Sequence, residues 1–525
     1  DTQPEPEPIE RSSFRSLQQS PATPATSPFP LSMRLNPLVV LPIALAAVPA
    51  DKVEQLPGFD KAPFDVYSGY VDVKGPVAGY DSLKIHYQLH MSQNNPATDP
   101  LVTWHQGGPG GSALFGLYTE MGYFGLSSHG TYVNQNAWNK VANMLYLESP
   151  AGSSVSVGGA NVGFSSCYKN GKKLTTCHWD DKTQAEAYTK TLLAFLELYP
   201  EFKSNDLYLT GESYAGQYLP NIANYILNNE EGKALNLKGM ALGNSCWGGT
   251  ETSVKCNGPN SDRNDIEMYH GKGLISNAQK AEVFKACGYD GIKKKNASGD
   301  GFIACRLAIL KAHNTVGPHN VYNIYDDCPG AANFMKKHGK DSHWFLNTLR
   351  NNMHLPNPFH ELEGESPSGG YEWYCGGEDA TPKYFKRSDV QQALHLDIDG
   401  SGFSYTTSGP ASITLFPALA KKLRLLIYSG DADSCVPYVG TEEWTTGLAA
   451  QGILKESSAW HPWFVQSTGK AGSNIPAGYA TTYKVVNSDK DFTFLTIRLA
   501  GHMVPTYRPV AALDFITRFL AGKSF

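Results

Sequence analysis

The sequence predicts an α/β protein: a mostly parallel central sheet flanked by helices, carrying an inserted, largely helical cap segment. Three observations lead there. Short apolar, β-rich runs alternate with longer stretches of helical periodicity, the order that builds parallel sheets through right-handed crossovers. The texture changes between about residues 246 and 405, and strand-like runs resume at 424. The polar residues with the clearest chemical use each stand just past a predicted strand, at the edge where open α/β sheets bind ligands.

Taken in order, residues 1–32 are rich in Pro, Glu, Ser and Thr and cannot build a core, so they are expected to be disordered or a gene-model extension. Residues 33–50 read as a signal peptide: Met33 and Arg34 supply a positive start, Leu38–Val48 an apolar stretch, and Val48 and Ala50 small residues before a cut at Asp51. The stretch is short and broken by Pro37 and Pro42, so stable membrane insertion is not expected. The first part of the core is 51–245. Its strands are "LVTWH" (101–105), "MLYLESP" (144–150), "DLYLT" (206–210) and "LKGMALGN" (237–244); "TQAEAYTKTLLAFLELY" (183–199) has apolar residues at helical spacing. The cap insertion is 246–405, with cysteines 256, 287, 305, 328 and 375 and short helical patterns. The second part of the core, 406–525, brings "RLLIYSGDAD" (424–433) and "FTFLTIRLAGH" (492–502).

Composition narrows the function classes. The 525 residues carry a formal net charge of −5 and no basic run, so a nucleic-acid partner is not expected. Nine cysteines suit an oxidising compartment, and an odd number leaves at least one free or paired between chains. Cys167 with Cys177 and Cys246 with Cys256 are close local pairs suited to disulfides. No C-x-x-C occurs, so no metal site is expected, and nothing calls for an organic cofactor. Asn296 in "KKKNASGD" is an acceptor for N-glycosylation in a secreted chain.

The chemistry centres on "LYLTGESYAGQYLP" (207–220), a strand that turns into a helix with Ser213 at the turn. A serine hydroxyl needs a base to become a nucleophile, and a histidine needs a carboxylate to hold its tautomer. His502 follows one predicted strand end, and Asp431 and Asp433 follow another. The chain order Ser, Asp, His is that of the α/β-hydrolase triad. Acyl chemistry also needs oxyanion donors. The glycine-rich "GGPGGS" (107–112) and the N–H of Tyr214 are placed to supply them.

With these blocks quoted, the chain resembles the serine carboxypeptidase family, peptidase family S10 of the α/β-hydrolase group, over roughly residues 55 to 520. "DPLVTWHQGGPGGSALFGLYTE", "NAWNKVANMLYLESPAG", "YPEFKSNDLYLTGESYAGQYLP", "IYSGDADSCVP" and "LAGHMVPTYRP" carry the resemblance. It implies a serine-type carboxypeptidase acting on peptides or proteins with a free C-terminus, best in acid, in the secretory pathway, either secreted or lysosomal/vacuolar. Catalysis would fall to Ser213, Asp433 and His502, with Asp431 structural. The N–H groups of Gly108 and Tyr214 would form the oxyanion hole. Trp104, Gln106, Gly107, Glu120 and Glu212 would bind the substrate carboxylate, the two glutamates sharing a proton.

Three departures stand out. Gln106 replaces the family's asparagine. Gly111 replaces its cysteine, leaving Cys375 free or re-paired. Ser153–Asn161 reads as an insertion into the pattern P-x-G-V-G-F-S. Cys435 is expected to be a free thiol near the substrate. An acyltransferase on the same fold and a non-catalytic binding member are the alternative functions; retained Glu212 favours the peptidase.

Overall fold

The computed structural model describes residues 48–127, 129–155, 163–289, 300–317, 319–326, 377–465 and 475–525. The segment 1–32, most of 33–50, Asn296, Cys328, Cys375 and most of the 153–161 insertion lie outside the described residues.

The sheet is built on eleven strands: β1 (Lys52–Val53), β2 (Val66–Val77), β3 (Tyr80–His90), β4 (Leu101–His105), β5 (Asn143–Leu147), β6 (Leu207–Glu212), β7 (Leu237–Gly243), β8 (Arg424–Gly430), β9 (Leu454–Trp463), β10 (Gly478–Val485) and β11 (Asp491–Ile497). Their spatial order is β1-β2-β3-β5-β4-β6-β7-β8-β11-β10-β9, with two short strands, 166–169 and 172–173, attached beside β3. The middle six, β5-β4-β6-β7-β8-β11, pair in parallel. Both margins are antiparallel. The sheet is therefore mixed, and the helix-linked middle is the part that strand-helix alternation foretold. The margins follow from tight turns. Ala78 and Gly79 join β2 to β3 with φ of 51° and 84°, the left-handed pair that a two-residue hairpin requires.

The middle strands are buried on both faces, and their side chains alternate between two apolar layers. Leu207, Leu209, Leu242, Leu425 and Ile427 point into one layer with Tyr188, Leu192, Phe195, Leu219 and Ile222. Trp104, Tyr208, Ala241, Leu426 and Tyr428 point into the other with Phe515 and Ile516. Each fully buried Leu or Ile contributes on the order of 1.5–3 kcal/mol. Helices α1 (Asp181–Leu198) and α2 (Ala215–Asn228) cover the first face; α7 (Pro509–Ala521) lies on the second. The start of α1 is fixed by a capping box. Asp180 Oδ1 accepts from the Thr183 N–H at 2.7 Å, and Thr183 Oγ1 accepts from the Asp180 N–H at 2.9 Å.

Cys167–Cys177 and Cys246–Cys256 are disulfides, the two local pairs that spacing suggested. A third, Cys287–Cys305, was not paired from sequence. The described part of 246–326 is chiefly helical: α3 (Ser261–Gly271), α4 (Asn277–Cys287) and α5 (Asp300–Val316), with Cys287–Cys305 tying α4 to α5. Strand 402–406, at the end of the segment 246–405, pairs in parallel with 176–180 in the first part of the core. α6 (Tyr438–Ala450) follows β8.

Candidate active site

β6 ends at Glu212, and α2 begins at Ala215. Between them Ser213 has φ of 60°, a left-handed conformation that costs a non-glycine residue of order 1–3 kcal/mol and survives only where neighbours enforce it. The neighbours are identifiable. The Ser213 N–H donates to Gly243 O at 3.0 Å, and its carbonyl accepts from the N–H groups of Gly216 and Cys246, each at 2.9 Å. Strand and helix meet so closely that a Cβ on Gly211 would lie 2.4 Å from His105 O and 2.7 Å from the Ala215 Cβ. Gly211 is therefore required, while Ala215 fits where the general G-x-S-x-G pattern has its second glycine.

β8 and β11 are adjacent, so the loops after them meet. Asp433 is fully buried and His502 is 4% exposed; His502 Nδ1 lies 2.7 Å from Asp433 Oδ2. The other hydrogen bonds to Asp433 come from the Cys435 N–H to Oδ1 (2.8 Å) and from Asn244 Nδ2 (2.8 Å) and the Val436 N–H (3.2 Å) to Oδ2. These donors satisfy a carboxylate that burial would otherwise penalise. His502 Nε2 is buried and makes no hydrogen bond among the described residues. Asp431 points elsewhere: it accepts from the Leu499 N–H at 2.7 Å and meets Lys272 at 3.3 Å, joining the two loops. Cys435 is an unpaired thiol, and burial raises its pKa well above the usual value, so it is a poor thiolate.

The glycine loop after β4 lies against the elbow. A Cβ on Gly107 would fall 2.5 Å from the Ser213 Cβ and 2.7 Å from the Tyr214 N. Gly108 is exposed with φ of 118°, and α2 starts directly behind Tyr214. A helix start carries positive electrostatic potential.

Beside it lies a buried acidic cluster. Gln106 Nε2 donates to Glu212 Oε1 at 2.6 Å and to Glu120 Oε1 at 3.2 Å, while Trp104 Nε1 donates to Gln106 Oε1 at 2.8 Å. Trp104 is fully buried, so it stands behind Gln106. Burial pushes the Glu120 carboxyl up to about 7. Glu212 is raised well above the usual range, first by burial and then by the charge of Glu120, so the proton stays on Glu212 longer.

The extra methylene of Gln106 and the missing side chain of Gly111 are one feature. A Cβ on Gly111 would lie 2.9 Å from Gln106 Cγ and 2.9 Å from Gly107 O. The longer amide therefore fills space that a residue larger than glycine would take. The first residues of the inserted stretch meet the same loop: the Ser154 N–H donates to Gly110 O (3.0 Å), and its carbonyl accepts from the Ser112 N–H (2.9 Å).

Sequence reasoning assigned no role to Asn244 or Glu148. Asn244 closes β7 and bridges Asp433 to the Gly430 N–H, a pairing visible only once β7 and β8 are neighbours. Glu148, fully buried, accepts from the N–H groups of Phe164 and Ser165 at 2.7 Å each and from Ser112 Oγ at 3.2 Å. Burial pushes it up to about 8. It fastens the chain after the insertion to the glycine loop.

A serine at a strained strand-to-helix turn, at the carboxyl edge of a mixed sheet that carries a buried Asp–His pair after the strands two and three away, defines an α/β-hydrolase. Within that class the chain belongs to the serine carboxypeptidase family, which it matches across residues 57–522. It is 31% identical to serine carboxypeptidase ctsa-4.1 of Caenorhabditis elegans, over 92% of this chain and 95% of that protein. It is 32% identical to the lysosomal protective protein of Mus musculus, over 91% and 95%. Its fold is similar to the crystal structure of Kex1(delta)p, a prohormone-processing carboxypeptidase from Saccharomyces cerevisiae (TM-score 0.63, 20% identity, 90% of this chain and 96% of that one).

Proposed function

We propose that this protein is a serine-type carboxypeptidase that releases C-terminal residues through an acyl-enzyme on Ser213. The observation that carries the reading is the buried Asp433–His502 pair, whose Nε2 makes no hydrogen bond among the described residues, Ser213 included, on the sheet edge that presents the Ser213 elbow. Ser213 Oγ attacks the scissile carbonyl carbon as His502 Nε2 takes its proton. The tetrahedral oxyanion is received by the N–H groups of Gly108 and Tyr214. As the C–N bond breaks, His502 returns the proton to the leaving amine and the C-terminal amino acid departs. Water, deprotonated by His502, then cleaves the ester. Asp433 holds Nδ1–H throughout and stabilises the imidazolium.

Exopeptidase selectivity rests on Gln106, Glu120 and Glu212, with Gly107 lining the cluster and Trp104 supporting it. A protonated carboxyl donates to the substrate carboxylate; an ionised pair repels it. The acyl-transfer alternative gains no observation of its own, since a carboxylate reader serves a peptide C-terminus.

Residues 51–245 and 406–525 form the catalytic core in this reading, and 246–405 the cap. Disulfides, the signal-like segment 33–50 and a lysosomal relative support the secretory pathway, with secretion or a lysosome/vacuole as destination. No helix among the described residues is long and apolar enough to cross a membrane. The substrates are peptides or proteins with a free C-terminus. The test is amino-acid release from N-blocked dipeptides between pH 4 and 8, beside Ser213→Ala. Release by the wild type and none by the variant is expected; equal release by both refutes the assignment of Ser213.

A further inference from the structure

The loops that carry Asp433 and His502 are bound to a common strap, residues 319–326, which lies in the segment 246–405. Val321 O accepts from the N–H groups of Ser434 (2.8 Å) and Cys435 (3.0 Å) and from Ser434 Oγ (2.9 Å). The Ile324 N–H donates to Ala432 O at 3.0 Å. On the other side the His502 N–H donates to Tyr322 O at 2.7 Å. The fit leaves no slack: a Cβ on Gly501 would lie 2.2 Å from Tyr322 O. The strap is hydrogen-bonded within itself and to Tyr507. Asn320 Oδ1 accepts from the Tyr322 N–H (3.0 Å), Asn323 Oδ1 from the Tyr325 N–H (3.1 Å), and Asp326 Oδ2 from Asn320 Nδ2 (2.9 Å) and Tyr507 OH (3.0 Å). Beyond the backbone, the Tyr322 ring lies against the His502 imidazole, centroids 4.7 Å apart and planes at 48°.

We infer that Tyr322 is a positioning residue for His502, and that the strap sets the spacing of the Asp433 and His502 loops. The physical need is clear. A single hydrogen bond at Nδ1 fixes one edge of the imidazole but leaves the ring free to swing about that bond. A second ring against its face removes that freedom, and the backbone bond to Tyr322 O fixes the Cα from which the ring projects. Near-attack geometry is sensitive at this scale: a displacement of about 1 Å costs on the order of 100-fold in rate. On this inference the segment 246–405 supplies part of the catalytic geometry. The inference rests on the proposed Ser213 mechanism.

The experiment compares Tyr322→Leu, Tyr322→Met and Tyr322→Phe with the wild type. Two readouts are taken: the rate of covalent labelling by a small fluorophosphonate, which needs the serine and histidine but no carboxylate reader, and kcat and KM on an N-blocked dipeptide. Thermal melts check folding. Leu and Met are expected to lower labelling and kcat about tenfold with KM within about twofold, and Phe, which keeps the ring, to restore both. Met fills the volume flexibly and keeps the test alive if Leu does not fold. Labelling at wild-type rate in folded Leu or Met variants overturns the inference, as does a change confined to KM, which marks Tyr322 as substrate wall only. Failure of Phe to restore kcat also overturns it. A wild type that is not labelled at Ser213 overturns the underlying mechanism as well, so the two failures are distinguishable.

Discussion

Placing a side chain at Gly111 should damage substrate binding through Gln106, and the structure gives the size of the effect. In Gly111→Ala the new Cβ arrives 2.9 Å from Gln106 Cγ and from Gly107 O. Gln106 Cγ must withdraw by roughly half an ångström to reach ordinary contact. Its amide cannot follow freely, because Trp104 holds Oε1 at 2.8 Å and Glu212 holds Nε2 at 2.6 Å. The bond that gives way is the longest, Nε2 to Glu120 at 3.2 Å, which a shift of that size carries beyond hydrogen-bond range. With the carboxyl protonated in acid, losing this hydrogen bond costs about 0.5–1.5 kcal/mol, or roughly 2- to 10-fold in KM. The assay is KM for an N-blocked dipeptide against KM for a matched ester with no terminal carboxylate; only the first should rise, with kcat for the ester unchanged. Gly111→Cys should behave alike, and adding Gln106→Asn, which removes the crowding methylene, should recover most of the loss. An unchanged KM in Gly111→Ala, or a double variant no better than Gly111→Cys, refutes the claim that these two positions are one packing unit.

The acid pair makes two further predictions. KM for carboxylate-bearing substrates should be flat in acid and rise above about 7, where ionised Glu120 begins to repel the substrate carboxylate, while KM of the ester stays flat. A pKa raised from 4.5 in the unfolded chain to about 7 also means that the folded state binds more protons. Stability is then fully present below about pH 4.5 and is lost as pH rises through 7. Glu120→Gln should therefore raise Tm at pH 8 and leave it little changed at pH 4; equal effects at both would refute the buried-acid reading. At the proposed triad, Asn244→Ala removes one donor from buried Asp433 and should lower kcat about tenfold with KM preserved, whereas a KM-only change would show that the Asp433–His502 geometry does not depend on it.

What the sequence disclosed and what it withheld divide along a physical line. The parallel middle was legible because strands buried on both faces read as continuous apolar runs, and their ends mark the functional edge. The elbow was legible because a left-handed serine between a strand and a helix needs small neighbours at fixed offsets, and Gly211, Ala215 and Gly216 supply them within a few residues. Contacts that cross the fold leave no such local trace. Nothing around Asn323 foretells that the preceding carbonyl will receive the His502 N–H, because the partners lie far apart in the chain and meet only when the strap crosses the ends of β8 and β11. Glu148 was visible as a letter in a strand-like run, but its value lies in being buried with two other chain segments bonded to its carboxyl, and burial of an acid has no periodicity. Gln106 and Gly111 are the intermediate case. Each was recognised as a departure, and only the distance between them shows that the second makes room for the first. A departure from a family pattern is thus weak ground for doubting function until its neighbours in space are known: here the longer amide still reaches both glutamates because the glycine five residues later gives it room.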